Sequence, residues 1–415
     1  MNETWDAIVI GCGPAGSAAS AVLAMHGRRV LVLEREKFPR YHIGESLLPF
    51  TFQPLQRIGM LEKMKGSAFI KKYSVQFVSP SGKASQPFYF GKRYAPEIAQ
   101  TWQVLRSEFD SMLMQNAREK GATVIEETTL KEFLKDGNRT AGVRVQDKAG
   151  SLHEYRAPMT IDCTGRDSFS ASRHGWRIPD PKLNKVAVWT YYKGALRDAG
   201  IDGGATTVAY VPEKGWFWYI PQHNDIISVG VVASPAYLFR DGVREPKDVF
   251  HREVKQNAWI EKYISAGTQS GGYFVTGEYS YKSKHCAADG LLLAGDAFGF
   301  LDPIFSSGVM LALKSGVMAG DAVHEALAAG DTSAARFAKY GEFISAGFNN
   351  MRRLVCAFYE QNFSFRKICD KFDFAQGDIT DCLSGDVNKN FDRLWAACGE
   401  YAPVEAALPY GEPLA

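Results

Sequence analysis

The chain is 415 residues long, more than one ordinary core requires, and has the composition of a globular protein able to bury two or three structural units. Its formal net charge is only +2, so no charge surplus favours a nucleic acid or an anionic membrane, and the expected partner is a small molecule or a protein. Aromatic residues make up 13% of the chain, above what a core alone calls for, which points to a flat ligand or an aromatic substrate.

Seven cysteines, at 12, 163, 286, 356, 369, 382 and 398, form no C-x-x-C pair and are odd in number. That pattern argues against a secreted disulfide framework and against a metal site. The first residues lack the basic and then apolar regions of a signal peptide, and no run of eighteen apolar residues occurs. A cytoplasmic protein with no transmembrane segment is expected.

Taken in order, residues 5–10 read as a buried parallel strand. They are followed by Gly11-Cys12-Gly13-Pro14-Ala15-Gly16, which has the form G-x-G-x-x-G, and by an Ala- and Leu-rich helix to Gly27. A second strand over 29–33 runs into Glu34, close to the offset at which an acid takes ribose hydroxyls. Gly11 suits the tight turn, Gly13 a close pyrophosphate, and Gly16 a helix lying on the strand, with helix amides facing the phosphates. The order strand, glycine turn, helix, strand, acid is that of a dinucleotide site.

Next come a proline-bounded loop at 38–49, a helix over 50–64 from the spacing of Phe52, Leu55, Ile58 and Leu61, and a period-two strand over 69–77. Strands are predicted at 86–90 and 99–105, and an amphipathic helix from Arg106 to Lys120 that stops at Gly121. Residues 123–126, 140–146 and 155–156 read as a meander, ending in a strand from Met159 that stops at Cys163-Thr164-Gly165. Period-two strands recur at 186–192, 205–211, 216–221 and 226–233, the last two joined as a hairpin. An apolar strand ends at Gly295-Asp296, and a helix over 307–328 carries Gly308, Ala312, Gly316 and Gly320 as a smooth face for a sheet or a ligand. From Thr332 an aromatic helical stripe reads as core, and the last fifteen residues, with Pro403, Pro409 and Pro413, as a partly ordered tail.

Three glycine turns, at Gly11, Gly165 and Gly295, each follow a strand, and Asp296 is placed to bond a ribityl or pyrophosphate group. This suits FAD better than NAD. The expected fold is α/β, with a glutathione-reductase-type, Rossmann-like FAD-binding domain over 1–65, 96–185 and 273–332. A substrate domain with an antiparallel sheet is expected over 66–95 and 186–272, and a helical C-terminal region over 333–415.

Gly44-Glu45-Ser46-Leu47-Leu48-Pro49, Trp216-Phe217-Trp218-Tyr219-Ile220-Pro221 and Phe300-Leu301-Asp302-Pro303-Ile304-Phe305-Ser306-Ser307-Gly308 resemble the flavin-dependent halogenases. The second reads W-x-W-x-I-P and the third F-x-x-P-x-x-S-x-G. The resemblance implies FAD held by Gly11, Gly13, Pro14, Ala15, Gly16, Glu34, Arg35, Glu45, Ser46, Arg106, Gly165, Gly295, Asp296, Pro303, Gly308 and Val309. It implies chloride or bromide at the amides of Ser307 and Gly308, and Trp216, Trp218 and Phe305 screening flavin from substrate. Lys72, in Phe69-Ile70-Lys71-Lys72, matches F-x-x-K, the lysine that takes up hypohalous acid and presents it to an aromatic ring by hydrogen bond or as a haloamine. A desolvated lysine titrates lower and becomes a usable nucleophile or donor.

Plainer readings stand beside each of these: a solvated Lys71-Lys72 pair, two core tryptophans, and amides that only hold a flavin carbonyl. Tyr73-Ser74 departs from the glycine that many relatives carry after the lysine segment. Tryptophan halogenases have a glutamate where this chain has Phe305, which leans the substrate toward phenols and pyrroles, free or carrier-protein-bound, that need no external base. A single dinucleotide fingerprint fits reduced FAD delivered by a separate flavin reductase. The rival readings are a geranylgeranyl-reductase-type flavoprotein, an aromatic hydroxylase, and a flavin-binding partner or redox sensor; the last predicts Lys72 buried in an ion pair with no tunnel joining it to the flavin.

Overall fold

Short runs with little polar alternation, Ala7–Ile10, Val30–Leu33, Met159–Asp162 and Leu291–Leu293, form strands buried on both faces in the computed structural model, which describes residues 4–277, 280–408 and 411–414. With Thr123–Ile125 and Ala287–Ala288 they make a six-stranded sheet in the order 287–288, 291–293, 159–162, 7–10, 30–33, 123–125. All pairings are parallel except that of the short edge strand at 287–288. Consequently the turns after Ile10, Asp162 and Leu293 open at one end of the sheet, where ligands of open α/β sheets bind.

Gly11 is required by the backbone itself: it sits at φ +92°, and an added Cβ would lie 2.4 Å from the Cys163 carbonyl oxygen. Gly16 lets the helix Pro14–Met25 cross the turn, since its Cβ would fall 1.9 Å from the Gly11 carbonyl oxygen. The second long helix, Gly308–Ala329, packs on the first through Gly316 and Gly320, whose added Cβ atoms would meet Ala15 and Val22 within 3 Å. The small-residue face predicted for a sheet or ligand is therefore mainly a helix–helix contact, and only its first two members, Gly308 and Ala312, reach the cavity described below.

A seven-stranded sheet lies alongside, in the order 268–276, 186–193, 226–233, 216–221, 206–210, 74–78, 88–89. It is antiparallel except where Thr206–Tyr210 runs parallel to Ser74–Val78. One face packs on Pro246–Val254 and Ala258–Ser265, helices that the sequence reading missed, through Phe217, Tyr219, Val229 and Val231. The other face meets the C-terminal helices Ala338–Tyr359, Phe365–Lys371, Ala375–Ser384 and Asp392–Gly399 through Trp189, Trp216 and Trp218.

Several expectations are corrected. The helix predicted over 50–64 is two short ones, Phe52–Arg57 and Leu61–Lys65, because Gly59 at φ +73° turns the chain and Met60 N–H donates to the Leu55 carbonyl at 2.8 Å. The strand predicted over 69–77 breaks at Tyr73: Ile70–Lys72 pairs with Thr101–Gln103, and Ser74–Val78 joins the large sheet. The residues 123–125 belong to the parallel sheet, and a strand absent from the prediction, Thr129–Asp136, completes a three-stranded antiparallel sheet with Arg139–Gln146 and Leu152–Arg156. The strands predicted at 86–90 and 99–105 shrink to Phe88–Tyr89 and Thr101–Gln103. Of the tail, Gly411, Glu412 and Leu414 hydrogen-bond along 284–287; Pro409 lies outside the described residues.

Candidate active site

A single cavity of about 310 Å³ runs from the first glycine turn to the large sheet. Gly11, Gly13, Pro14, Ala15, Glu34 and Arg35 line one end, Gly165 and Asp296 the middle, and Trp216, Trp218, Pro303, Gly308 and Val309 the other. Glu45, Ser46 and Arg106 also face it. Five of the residues picked out from sequence stand behind the wall: Gly16, Lys72, Gly295, Phe305 and Ser307.

At the first end the helix Pro14–Met25 begins with no side-chain cap, so its first-turn amides are available to an anion. Space is open over Gly13, where an added Cβ would find only the Arg40 guanidinium at 3.5 Å. Glu34 accepts hydrogen bonds from the amides of Cys12 at 2.7 Å and Glu36 at 2.9 Å, which fixes its carboxylate at the strand end. Arg35 pairs with Asp167 across the opening. A pyrophosphate over the helix start and a ribose against Glu34 fit this end.

In the middle, Arg106 opens the helix Arg106–Glu119 and is almost fully buried. It grips Asp110 bidentately, at 2.8 and 2.9 Å, and donates to the carbonyls of Ile43 at 2.9 Å and Gly44 at 3.0 Å. It thereby holds the loop that carries Glu45 and Ser46 against the cavity. The Arg106 guanidinium, aided by burial, pushes the His42 imidazole down to about 4. Burial pushes the Asp296 carboxyl up to about 6 against the pull of Arg106 and Arg166.

At the far end, Trp216 and Trp218 share one face of their strand, 6.2 Å apart between ring centroids. Trp216 donates to the Tyr359 hydroxyl at 2.8 Å, which donates to Asp302 at 2.9 Å; Trp218 donates to Ser228 at 3.0 Å. The chain then turns through Ser306, in the left-handed region at φ +56°, into the long helix whose first residue is Gly308. Ser307, at the N-cap, is buried, and its Oγ has no hydrogen-bond partner among the described residues. Phe305 points away, packing edge-on against Phe358 and Phe365 with centroids 5.7 and 6.1 Å distant.

Lys72 is fully buried. Its Nζ donates to Ser46 Oγ at 2.9 Å and to the Leu47 carbonyl at 3.0 Å, and it lies 5.7 Å from the Phe90 ring. Burial alone pushes it from 10.5 down to about 7, with no charged group contributing. Lys72 is neither in the ion pair expected of a mere flavin-binding partner nor in a solvated surface pair, but it stands behind the cavity wall and does not line the cavity. Ser46, which lines the cavity, stands between the two and bonds Thr206 Oγ1 at 2.8 Å.

Sequence reasoning missed Tyr41, Tyr191 and Tyr359, which approach from a loop, a sheet strand and the C-terminal helix. No local motif marks them.

The chain matches the FAD binding domain family over residues 4–342. It is 32% identical over 333 residues to the 1H-pyrrole-2-carbonyl-(peptidyl-carrier protein) brominase of Pseudoalteromonas luteoviolacea, covering 79% of each chain. It is also 32% identical over 411 residues to the corresponding chlorinase of Pseudomonas fluorescens, covering 93% of this chain and 90% of that one. The flavin-dependent brominase Bmp2 superposes with a TM-score of 0.86 at 28% identity, over 96% of this chain and 97% of that one. Such enzymes use FAD with chloride or bromide as co-substrate, and this chain belongs to the flavin-dependent halogenases.

Proposed function

We propose that this halogenase acts on an electron-rich aromatic of the pyrrole or phenol type, free or tethered to a carrier protein, and that Lys72 carries the electrophilic halogen to the ring. The observation that carries this reading is the state of Lys72: buried, without an ionic partner among the described residues, and titrating near neutral pH one hydroxyl away from the cavity. When bound, reduced FAD supplies the electrons with which oxygen oxidises chloride or bromide. A neutral Lys72 amine gives its two N–H groups to Ser46 and Leu47 and keeps its lone pair for hypohalous acid, which it holds by hydrogen bond, or whose halogen it takes as the O–halogen bond and one N–H break and water leaves.

The other residues serve that step. The amides opening the helix Gly308–Ala329, beside the unpartnered hydroxyl of Ser307, suit a small anion. Trp216 and Trp218 wall the cavity with apolar surface that keeps substrate from the flavin end. FAD is held by the first-turn amides after Gly13, by Glu34 on a ribose, and by the Gly165 and Asp296 turns, with Arg106 fixing the adjoining loop. Phe305, apolar and packed in the helical core, puts no carboxylate at the position where tryptophan halogenases carry one, which favours rings that lose their proton unaided. The carrier-bound pyrroles named for the two relatives support the pyrrole option. A separate flavin reductase supplies the reduced cofactor.

The test is incubation with FAD, a flavin reductase, NADH and bromide, against phenols, pyrroles both free and carrier-loaded, and tryptophan. Brominated pyrrole or phenol, lost without bromide and in Lys72→Met, is expected. Hydroxylated products, or NADH-driven reduction of an alkene, would overturn the reading.

A further inference from the structure

Halogenation consumes a proton: ArH + X⁻ + O2 + FADH2 + H⁺ gives ArX + FAD + 2 H2O. At the tryptophan end the cavity is walled by Trp216, Trp218 and Ile220, which have no proton to give to oxygen as an acid. One buried acid on its wall, expected above only to hold FAD, has so far no part in proton transfer.

Glu45 is 2% exposed and lines the cavity. Its Oε1 accepts a hydrogen bond from the Tyr191 hydroxyl at 3.0 Å, and its Oε2 has no hydrogen-bond partner among the described residues. Tyr191 in turn bonds the Tyr41 hydroxyl at 2.9 Å, and Tyr41, on the loop after the second strand, is 51% exposed. Trp189 Nε1 donates to the Tyr41 oxygen at 2.8 Å. These donors fix the sense of the chain. With Tyr41 oxygen receiving the indole N–H and Tyr191 giving its hydrogen to Glu45, the Tyr41 hydrogen points at Tyr191, so both hydroxyls are aimed inward.

We propose that Glu45 is the proton donor of the halogenation cavity, recharged from solvent along Tyr41 and Tyr191. Each turn moves one proton. Glu45 releases its proton to oxygen in the cavity, where it leaves in water; the carboxylate takes the Tyr191 hydrogen at Oε1, Tyr191 takes that of Tyr41, and Tyr41 takes one from bulk water. A half-turn of the carboxyl then returns the proton to the cavity side. No bond other than O–H is made or broken.

The surroundings favour the neutral form of this acid relative to a free carboxyl. Burial pushes the Glu45 carboxyl up, while the polar side chains of Ser228, Tyr191 and Gln222 and the Arg106 charge around it pull it down. Arg106 is itself engaged bidentately by Asp110, so it does not close an ion pair on Glu45. A carboxyl poised this way has the character of a general acid.

The inference rests on the halogenation reading only for the proton consumed, and its first test needs no turnover. Infrared spectra of the ligand-free protein near neutral pH should show the carbonyl band of a buried protonated carboxyl. That band should vanish in Glu45→Gln and move to higher frequency in Tyr191→Phe, which removes its hydrogen bond. In the halogenation assay Glu45→Gln should be slowed by about 100-fold, within the range for loss of a general acid, and Glu45→Asp should recover part of the rate. Tyr41→Phe and Tyr191→Phe should each slow turnover and change the solvent isotope effect. A band that survives in Glu45→Gln, or wild-type turnover in that variant, overturns the proposal; a Glu45-dependent band with no halogenation by wild type instead faults the reading of function.

Discussion

Replacing Lys72 by methionine should stabilise the protein at neutral pH while abolishing halogenation. The gap between the ordinary 10.5 and about 7 corresponds to ~5 kcal/mol by which the fold disfavours the ammonium form. Below pH 7 the lysine is protonated in folded and unfolded chains alike and the penalty is full; as pH rises toward 10.5 the unfolded chain also loses its proton and the penalty disappears. At pH 7 it amounts to ~4 kcal/mol. Methionine forfeits the hydrogen bonds to Ser46 and Leu47, each worth about 1 kcal/mol and more where the carbonyl is left unpaired, so the net gain is about 1–3 kcal/mol. The pH dependence is free of that deduction: the advantage of Lys72→Met over wild type should fall by ~2 kcal/mol between about pH 7 and about pH 9. Urea unfolding of both proteins at the two pH values measures it. An advantage that stays constant or grows with pH would refute the burial argument, and a variant that still halogenates would refute the role of the lysine.

Phe305→Glu, which restores the residue of tryptophan halogenases, should cost roughly 3 kcal/mol or more because it places a carboxylate among Phe358 and Phe365; a soluble variant that brominates tryptophan would show that the side chain reaches the cavity after all. Asp110→Asn should destabilise by about 3–5 kcal/mol by stranding the buried Arg106 charge and loosening the Ile43-Gly44 loop, seen as a lower urea midpoint and weaker FAD binding. Gly16→Ala should prevent FAD retention, since its Cβ would sit 1.9 Å from the Gly11 carbonyl oxygen; purification with a full complement of FAD would count against the packing described.

Much of the architecture was legible because it is written locally. Gly11 and Gly16 are forced by contacts within a few residues or with the next strand turn, and the buried runs at 7–10, 30–33 and 291–293 carry their own strand signal. The hairpin 216–233 and the helices after Gly13, Leu105 and Ser307 follow from period and terminal residues in the same way. Where the prediction failed, a single residue changed sheets or turned the chain: Tyr73, between strands of different sheets, and Gly59, inside an otherwise helical apolar pattern. Such breaks are decided by which partner strand or helix is available, and a one-dimensional pattern does not contain it.

The candidate site divides along the same line. By itself the sequence determined that a dinucleotide cradle, a tryptophan strand and a serine-glycine helix start exist, because each is a run of adjacent residues with its own geometry. Only the tertiary structure decided that Lys72 is buried without a counter-ion while Phe305 is turned into the helical core, and that Tyr41, Tyr191 and Glu45, from separate elements, join into one hydrogen-bonded chain. Protonation and accessibility depend on the desolvation and partners that distant segments bring, and these appear only when the sheets and helices close around the cavity.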